Sequence, residues 1–402
     1  MLITALLALV WSGCETDEAP PPEPVLRVTP VPFERLPGWA EGELRPSLDA
    51  FVRSCERIRQ RPSGEPFGPH AAFGQVGDWK PTCSAAADLH AQSPSDAAIR
   101  QFFEARFRPH QVAEGRDTTG LFTGYFEPQL RGARTRGGAY TVPLYRRPGD
   151  LVTADLGRFD GTLRGERIIG RLDGGRLVPY PSRAEIMNGA LDGRGLELLW
   201  VDSRIDKFFL QIQGSGRVQL PDGNLLRVGY DGQNGWPYHA VGRDLIDMGV
   251  LSRDNVSLQT IRAWMEAHPG QAPALMARNT SYVFFRRLRT LRADEGPIGA
   301  QGVPLTAEHS LAVDRDYLPL GAPLWLVTTA PMPAGAQPFR RLMIAQDTGG
   351  AIRGAIRGDV FWGAGDRARA TAGRMQHQGR YFVLLPTTIQ LPGASTTTKA
   401  TD

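Results

Sequence analysis

The chain has 402 residues with 46 glycines, 32 prolines and 41% hydrophobic residues. That is enough for two domains with their own cores, and too turn-rich for a helical bundle. Basic and acidic residues stand at 46 against 42, a net charge of +4. No basic block is long enough to suit nucleic acid, whereas a mildly basic face suits an anionic polysaccharide.

The first fourteen residues read MLITALLALVWSGC. The run from Leu2 to Trp11 is too short for an ordinary transmembrane helix and suits the apolar part of an export signal. Small residues before Cys14 resemble a bacterial lipoprotein processing site. Cleavage there leaves Cys14 as a lipid-bearing N-terminus, and residues 15–30, rich in proline, become a tether. Glu15 behind that cysteine favours the outer membrane. Cys55 and Cys83 fit no zinc signature; one disulfide and two separate buried thiols are both consistent with them. The seven histidines form no ligand cluster, so no metal site is expected.

Pro46 to Arg61 carries a helical stripe of Leu48, Phe51, Val52, Cys55 and Ile58. A second helix begins at Ser93-Pro94-Ser95-Asp96 and presents Ile99, Phe102, Phe103 and Phe107. Both are expected to cover the main domain. In GLFTGYFEPQL, alternating Phe122, Gly124 and Phe126 predict a strand ending at Glu127, a solvated carboxylate or one that lines a sugar cleft. From Arg131 to Arg243 the pattern is one of strands between Gly and Pro turns: AYTVPLY, ERIIGRL, RLVPY, LELLWV, KFFLQIQG and LLRVGY. One helix interrupts them, with Ser182 as cap and Glu185 three residues on. This region reads as an inserted all-β domain. Within it, Trp200 to Leu220 alternates amides and charges with apolar positions. A polysaccharide-binding strand pair and structural ion pairs at a sheet edge both fit that alternation.

Helical pattern returns in SLQTIRAWMEAHPG, with Ser257 as cap, before the strand-like NTSYVFF. Asp314 precedes a turn at Pro319-Leu320-Gly321, and residues 391–402 read as a frayed tail. The stretch from Ala345 to Pro386 threads Asp347, Asp359 and Asp366 through a glycine-rich run. Such a run is either a turn or a concave acidic site. Asp366 sits where a helix N-terminus is expected.

In order along the chain, GYFEP, WVDSRIDKFFLQIQGSGRV, NTSYVFF, AVDRDYLPLGAPLWL and the long run from Gln346 to Pro386 resemble the membrane-bound lytic murein transglycosylase A family of Gram-negative bacteria. The resemblance implies a mainly β protein: a double-psi β-barrel domain assembled from residues 31–123 and 270–390, with a smaller β-barrel domain inserted at 124–269. The glycan groove would lie between them. It also implies a lytic transglycosylase that cleaves the MurNAc–GlcNAc bond of peptidoglycan by attack of the sugar's own C6 hydroxyl. A non-catalytic peptidoglycan-binding lipoprotein and a hydrolytic muramidase are the alternatives.

By motif, Asp359 takes the place of the acid/base and Asp347 of its companion. Asp314 is a more structural member at the edge of the substrate-binding set. Gln211, Gln213, Glu127 and Lys207 are expected to line the groove, with Tyr125 placed to stack on a sugar ring. Expected partners are glycan strands, outer-membrane lipid through Cys14, and other cell-wall enzymes; no cofactor is implied. For Asp359 to begin neutral, burial beside Phe361 and Trp362 and the charge of Asp347 must raise its pKa.

Overall fold

Six strands close on themselves into a barrel drawn from both ends of the chain. The computed structural model describes residues 26–289, 291 and 295–389. Cys14, most of the expected tether and the tail at 391–402 lie outside them.

In the N-terminal part, β1 (Leu26–Pro30) lies antiparallel on β2 (Phe107–Glu114). These five residues were expected in the tether; ladder hydrogen bonds to β2 make them part of the sheet instead. Between the two strands come α1 (Arg45–Arg59), α2 (Val76–Ala91) and α3 (Asp96–Arg106). Leu48, Phe51, Cys55 and Ile58 of the α1 stripe are buried as their spacing predicts and Val52 is half-buried at its edge, while Ser95 caps α3 by accepting from the Ala98 N–H. Helix α2 buries Val76, Trp79, Cys83 and Ala86 on one face, a stripe that Pro81 inside it and the run of alanines mask in the sequence; a capping box between Gln75 and Asp78 starts it. Cys55 and Cys83 form a disulfide that ties α1 to α2. β3 (Gly120–Glu127) follows.

The inserted region holds β4 (Gln129–Ala133), β5 (Val142–Tyr145), β6 (Val152–Asp155), β7 (Arg167–Asp173), β8 (Arg176–Pro179), α4 (Arg183–Met187), β9 (Glu197–Val201), α5 (Arg204–Gln213), β10 (Ser215–Gln219), β11 (Leu225–Gln233), α6 (Val241–Asp247), α7 (Leu258–Ala267), α8 (Ala272–Arg278) and β12 (Val283–Leu288). Its main sheet runs β12-β11-β10-β4-β9-β5, and β6, β7 and β8 form a small separate sheet. Sheet membership corrects the expected boundaries at 124 and 269. All of β3 pairs within the barrel, while β12 pairs with β11 and so belongs to the insert.

The segment KFFLQIQG is helix α5, where a strand was expected. Leu210-Gln211-Ile212-Gln213 alternates like a strand, but stronger local signals surround it. Ser203 accepts from the Asp206 N–H at 3.0 Å, and Gly214 adopts a left-handed φ of 77° that ends the helix. Ile205, Phe208, Phe209 and Ile212 then share one face, packed against α6, α7 and α8. With helices α4 to α8, five among the described residues, the insert is mixed rather than all β.

The C-terminal part supplies β13 (Ser310–Val313), β14 (Pro323–Met332), β15 (Gly335–Asp347), β16 (Gly358–Ala364), α9 (Gly365–Ala372) and β17 (Gln376–Pro386). The barrel order is β17-β14-β15-β13-β16-β3, and β17 pairs with β3 to close it. Two seams are parallel, β13–β15 and β16–β3. Asp366 falls in the first turn of α9, exposed, as its sequence position suggested. Gly124 has a steric reason: a Cβ there would lie 2.6 Å from the Trp362 indole nitrogen and 2.9 Å from the Ala372 backbone. Its absence lets β16 and α9 close onto β3.

Candidate active site

Strand alternation sorts the residues around Asp359 onto two faces. On β16, Val360 and Trp362 enter the large core with Phe122 and Phe126 of β3. Asp359 and Phe361 point the other way, as do Thr123 and Tyr125. Trp362 is thus a core residue on the face opposite Asp359, although it was expected beside that carboxylate. Its indole N–H reaches the Met375 sulfur at 3.3 Å. Phe361 does share the aspartate's face, 5.2 Å between ring centroids from Tyr125.

Register brings the aspartates to one level. Asp359 pairs with Thr123 on β3 and with Ala312 on β13, and Ala312 pairs with Asp347 on β15. The two carboxylates therefore stand two strands apart on one face, roughly 10 Å by the usual strand spacing. At that backbone separation the charge of Asp347 still reaches Asp359.

Each carboxylate has its own hydrogen-bond partners. The Thr123 hydroxyl donates to Asp359 Oδ1 at 2.8 Å, and Arg357 donates to that hydroxyl oxygen at 2.8 Å. Asp347 accepts from the Tyr125 hydroxyl on Oδ2 at 2.8 Å and from the Ala300 backbone N–H on Oδ1 at 2.9 Å. Both aspartates are only partly exposed. Burial raises the Asp359 pKa to about 6, against the pull of Arg357 and Thr123, with Asp347 adding to the rise. Burial also lifts Asp347 above the usual carboxylate range, while Tyr125 and backbone N–H groups hold it back. Opposite this floor stands Tyr238 of the insert. Gly350, in the loop after Asp347, has the Tyr238 Cβ 3.8 Å from where a side chain would begin. The phenol's pKa is raised by burial and also by the charge of Asp359.

Four of the residues expected to line the groove are held elsewhere. Glu127 has a fully buried side chain and accepts from Arg217 at 2.8 Å and from Arg227 at 2.9 to 3.0 Å, which joins β3 to the insert's sheet. It is neither solvated nor available to a sugar. Gln211 is buried, accepts from Arg183 and donates to the Val283 carbonyl at 2.9 Å. Gln213 accepts from the Phe126 N–H at 2.9 Å, another tie between insert and barrel. Asp314, 2% exposed, accepts from the Gly354 N–H at 2.8 Å and the Asp316 N–H at 3.1 Å, and so shapes the loop before β16. Tyr125 is spent on Asp347 and packed on Phe361, with 8% exposure, so ring stacking is not its part.

Lys207 lies on the insert, away from the aspartates. Its ammonium sits over the rings of Tyr145 and Tyr282, 5.5 and 5.2 Å from their centroids, in a separate cavity. Thr123, Arg357 and Tyr238 were missed from the sequence. Only Arg357, two residues before Asp359, gave a local signal; the other two reach the site through strand pairing and domain packing.

A family model described as the MltA specific insert domain matches residues 121–286, and one described as the 3D domain matches residues 309–385. The chain is 35% identical over 281 residues to membrane-bound lytic murein transglycosylase A of Escherichia coli strain K12, covering 67% of each. Among solved structures, a membrane-bound lytic murein transglycosylase from Agrobacterium tumefaciens is 34% identical, with a TM-score of 0.78 over 89% of this chain and 97% of that one. E. coli MltA with bound chitohexaose is 27% identical, with a TM-score of 0.61 over 91% and 93%.

Proposed function

The chain belongs to the membrane-bound lytic murein transglycosylase A family and is a peptidoglycan lytic transglycosylase; from that premise we propose that Asp359 alone is its acid and base. The observation that carries this is the raised, singly held carboxyl of Asp359, with Oδ1 engaged by Thr123. Oδ2 is then the atom that bears the proton. It gives that proton to the glycosidic oxygen between N-acetylmuramic acid and N-acetylglucosamine as the C1–O bond breaks. The ionised Asp359 next takes the proton of the muramic C6 hydroxyl as O6 closes onto C1. No water enters, and the products are a 1,6-anhydromuramic end and a free C4 hydroxyl.

A second carboxylate is unnecessary because the nucleophile is in the same sugar and already near C1. Asp347 is a positioning residue: it holds Tyr125 and the Ala300 backbone, and its charge keeps Asp359 protonated for longer. The bound chitohexaose of the E. coli relative supports a glycan strand as partner. The membrane-bound relatives support association with a membrane. No helix among the described residues is long and apolar enough to cross one, and attachment through Cys14 to the outer membrane, on its periplasmic side, supplies that association.

Mass spectrometry of digested sacculi tests the mechanism. Anhydro products lighter by one water support it, reducing ends mean water attacks instead, and intact sacculi mean binding without cleavage.

A further inference from the structure

The insert contains a cavity of about 340 Å³ that touches neither Asp359 nor Asp347. One face of α5 supplies Arg204, Lys207, Phe208 and Gln211 to its wall, and Tyr145 and Tyr282 supply much of the rest. Four cations line it, Arg136, Arg183, Arg204 and Lys207, against two carboxylates, Asp192 and Glu197.

Two polar groups in this wall lack partners. The Lys207 ammonium makes no hydrogen bond or ion pair among the described residues and rests only on two aromatic faces. The Tyr282 hydroxyl is fully buried without a hydrogen-bond partner, the neighbouring Gln211 amide being committed to Arg183 and Val283. Burial of such groups is costly unless something fills the need. Asp192 does not fill it, since that carboxylate accepts from Tyr145 at 3.0 Å. The arrangement asks for an anionic hydrogen-bond acceptor, framed by aromatic rings and by exposed Arg136 and Arg204 at the rim.

We propose that this cavity receives a carboxylate of the substrate's stem peptide, an inference that rests on the peptidoglycan reading above. The acetylated sugar rings are uncharged, so the acidic groups of an intact strand are on the peptide that branches from muramic acid. The cavity and the cleft are coupled electrostatically through Tyr238. Arg183 in the cavity wall interacts electrostatically with Tyr238, and Tyr238 in turn with Asp359. A stem of three or four residues spans roughly 10–14 Å when extended, which carries its carboxylates well away from the sugar ring. Burial, with Arg183 and Arg204 nearby, holds the Lys207 pKa down to about 7, and an incoming carboxylate supplies the counter-charge it lacks.

The test compares full-length wild type with Lys207→Met and with the rim variant Arg204→Gln, whose exposed side chain is not needed for folding. Substrates are glycan strands with stems and strands stripped of stems by an amidase, which keep only a lactyl carboxylate. Lys207→Met is expected to raise KM about tenfold more for stem-bearing than for stripped strands, with kcat unchanged, and Arg204→Gln to do the same more weakly. Equal losses on both substrates, no loss on either, or a penalty confined to stripped strands each overturn the assignment. Calorimetric titration of the free stem tetrapeptide gives a readout without turnover. Binding to wild type that Lys207→Met abolishes supports the site, and no binding overturns it. Absence of anhydro products from wild type would instead sink the transglycosylase mechanism and leave the titration standing.

Discussion

Thr123 donates to Asp359 across the parallel seam between β3 and β16, at 2.8 Å, between residues 236 positions apart. The same hydroxyl oxygen accepts from Arg357. Its single proton is therefore directed at the carboxylate, which favours the ionised form and opposes the burial that favours the neutral one. The balance leaves Asp359 at about 6, where one group can act first as acid and then as base.

Asp359→Asn keeps the shape and removes the exchangeable proton. Release of anhydro-muropeptides is expected to fall by about 10³-fold or more, while glycan binding persists. Chromatography and mass spectrometry of digested sacculi, beside a strand-binding assay, check both halves. Retained turnover would refute the assignment.

The pH dependence has a definite sign. Asp359 must start protonated, so kcat/KM is expected to decline as pH rises through about 6. The same shift bears on stability. A carboxyl with its folded pKa raised from 3.8 binds its proton more tightly when folded. Its contribution is full below about pH 4 and is lost as pH climbs through 6. Asp359→Asn should consequently melt higher than wild type at pH 7, with the difference vanishing near pH 4. Thermal melts across that range decide it.

Thr123→Val removes the donor that favours the carboxylate. The falling limb of the pH profile is expected to move upward, and kcat to drop by about tenfold as Asp359 loses its anchor. An unmoved limb would show that Thr123 does not tune the acid.

Glu127→Ala leaves Arg227, 8% exposed, without its carboxylate in the joint between insert and barrel. A loss of about 3–5 kcal/mol is expected on denaturant unfolding, because removing one partner of a buried ion pair is strongly destabilising. A raised KM at unchanged stability would return Glu127 to the substrate groove.

Reduction of Cys55–Cys83, or replacement of both by serine, opens a link across 28 residues. The expected cost is about 3 kcal/mol, seen as a lower denaturation midpoint, with kcat nearly unchanged in the folded enzyme. The helices it joins pack on the barrel rather than on the aspartates.

Much was legible in one dimension because it depends on neighbours along the chain. The α1 stripe, the helix start at Ser93 to Asp96, the Ser182 and Ser257 caps, the strand at Val283 and the closing strand after Met375 all follow from local period and capping. The motif run from Gly124 to Pro386 likewise carried the barrel-plus-insert plan. Local signals misled where two competed, as in α5, whose Leu-Gln-Ile-Gln alternation lost to Ser203 and Gly214.

What sequence could not determine was which polar residues are free to work. Glu127, Gln211, Gln213 and Asp314 look like a glycan-binding set until folding brings each a partner from far along the chain. Thr123 and Tyr238 show no chemistry in isolation and gain theirs from what lies across a strand seam or a domain joint. Spacing alone did not choose between Asp347 and Asp359, whereas Asp366 was already legible as a helix start. Strand register placed Asp359 and Asp347 two strands apart on one face and left Asp366 on an exposed helix end. Burial, which depends on everything packed around a carboxyl, then raised Asp359 to about 6.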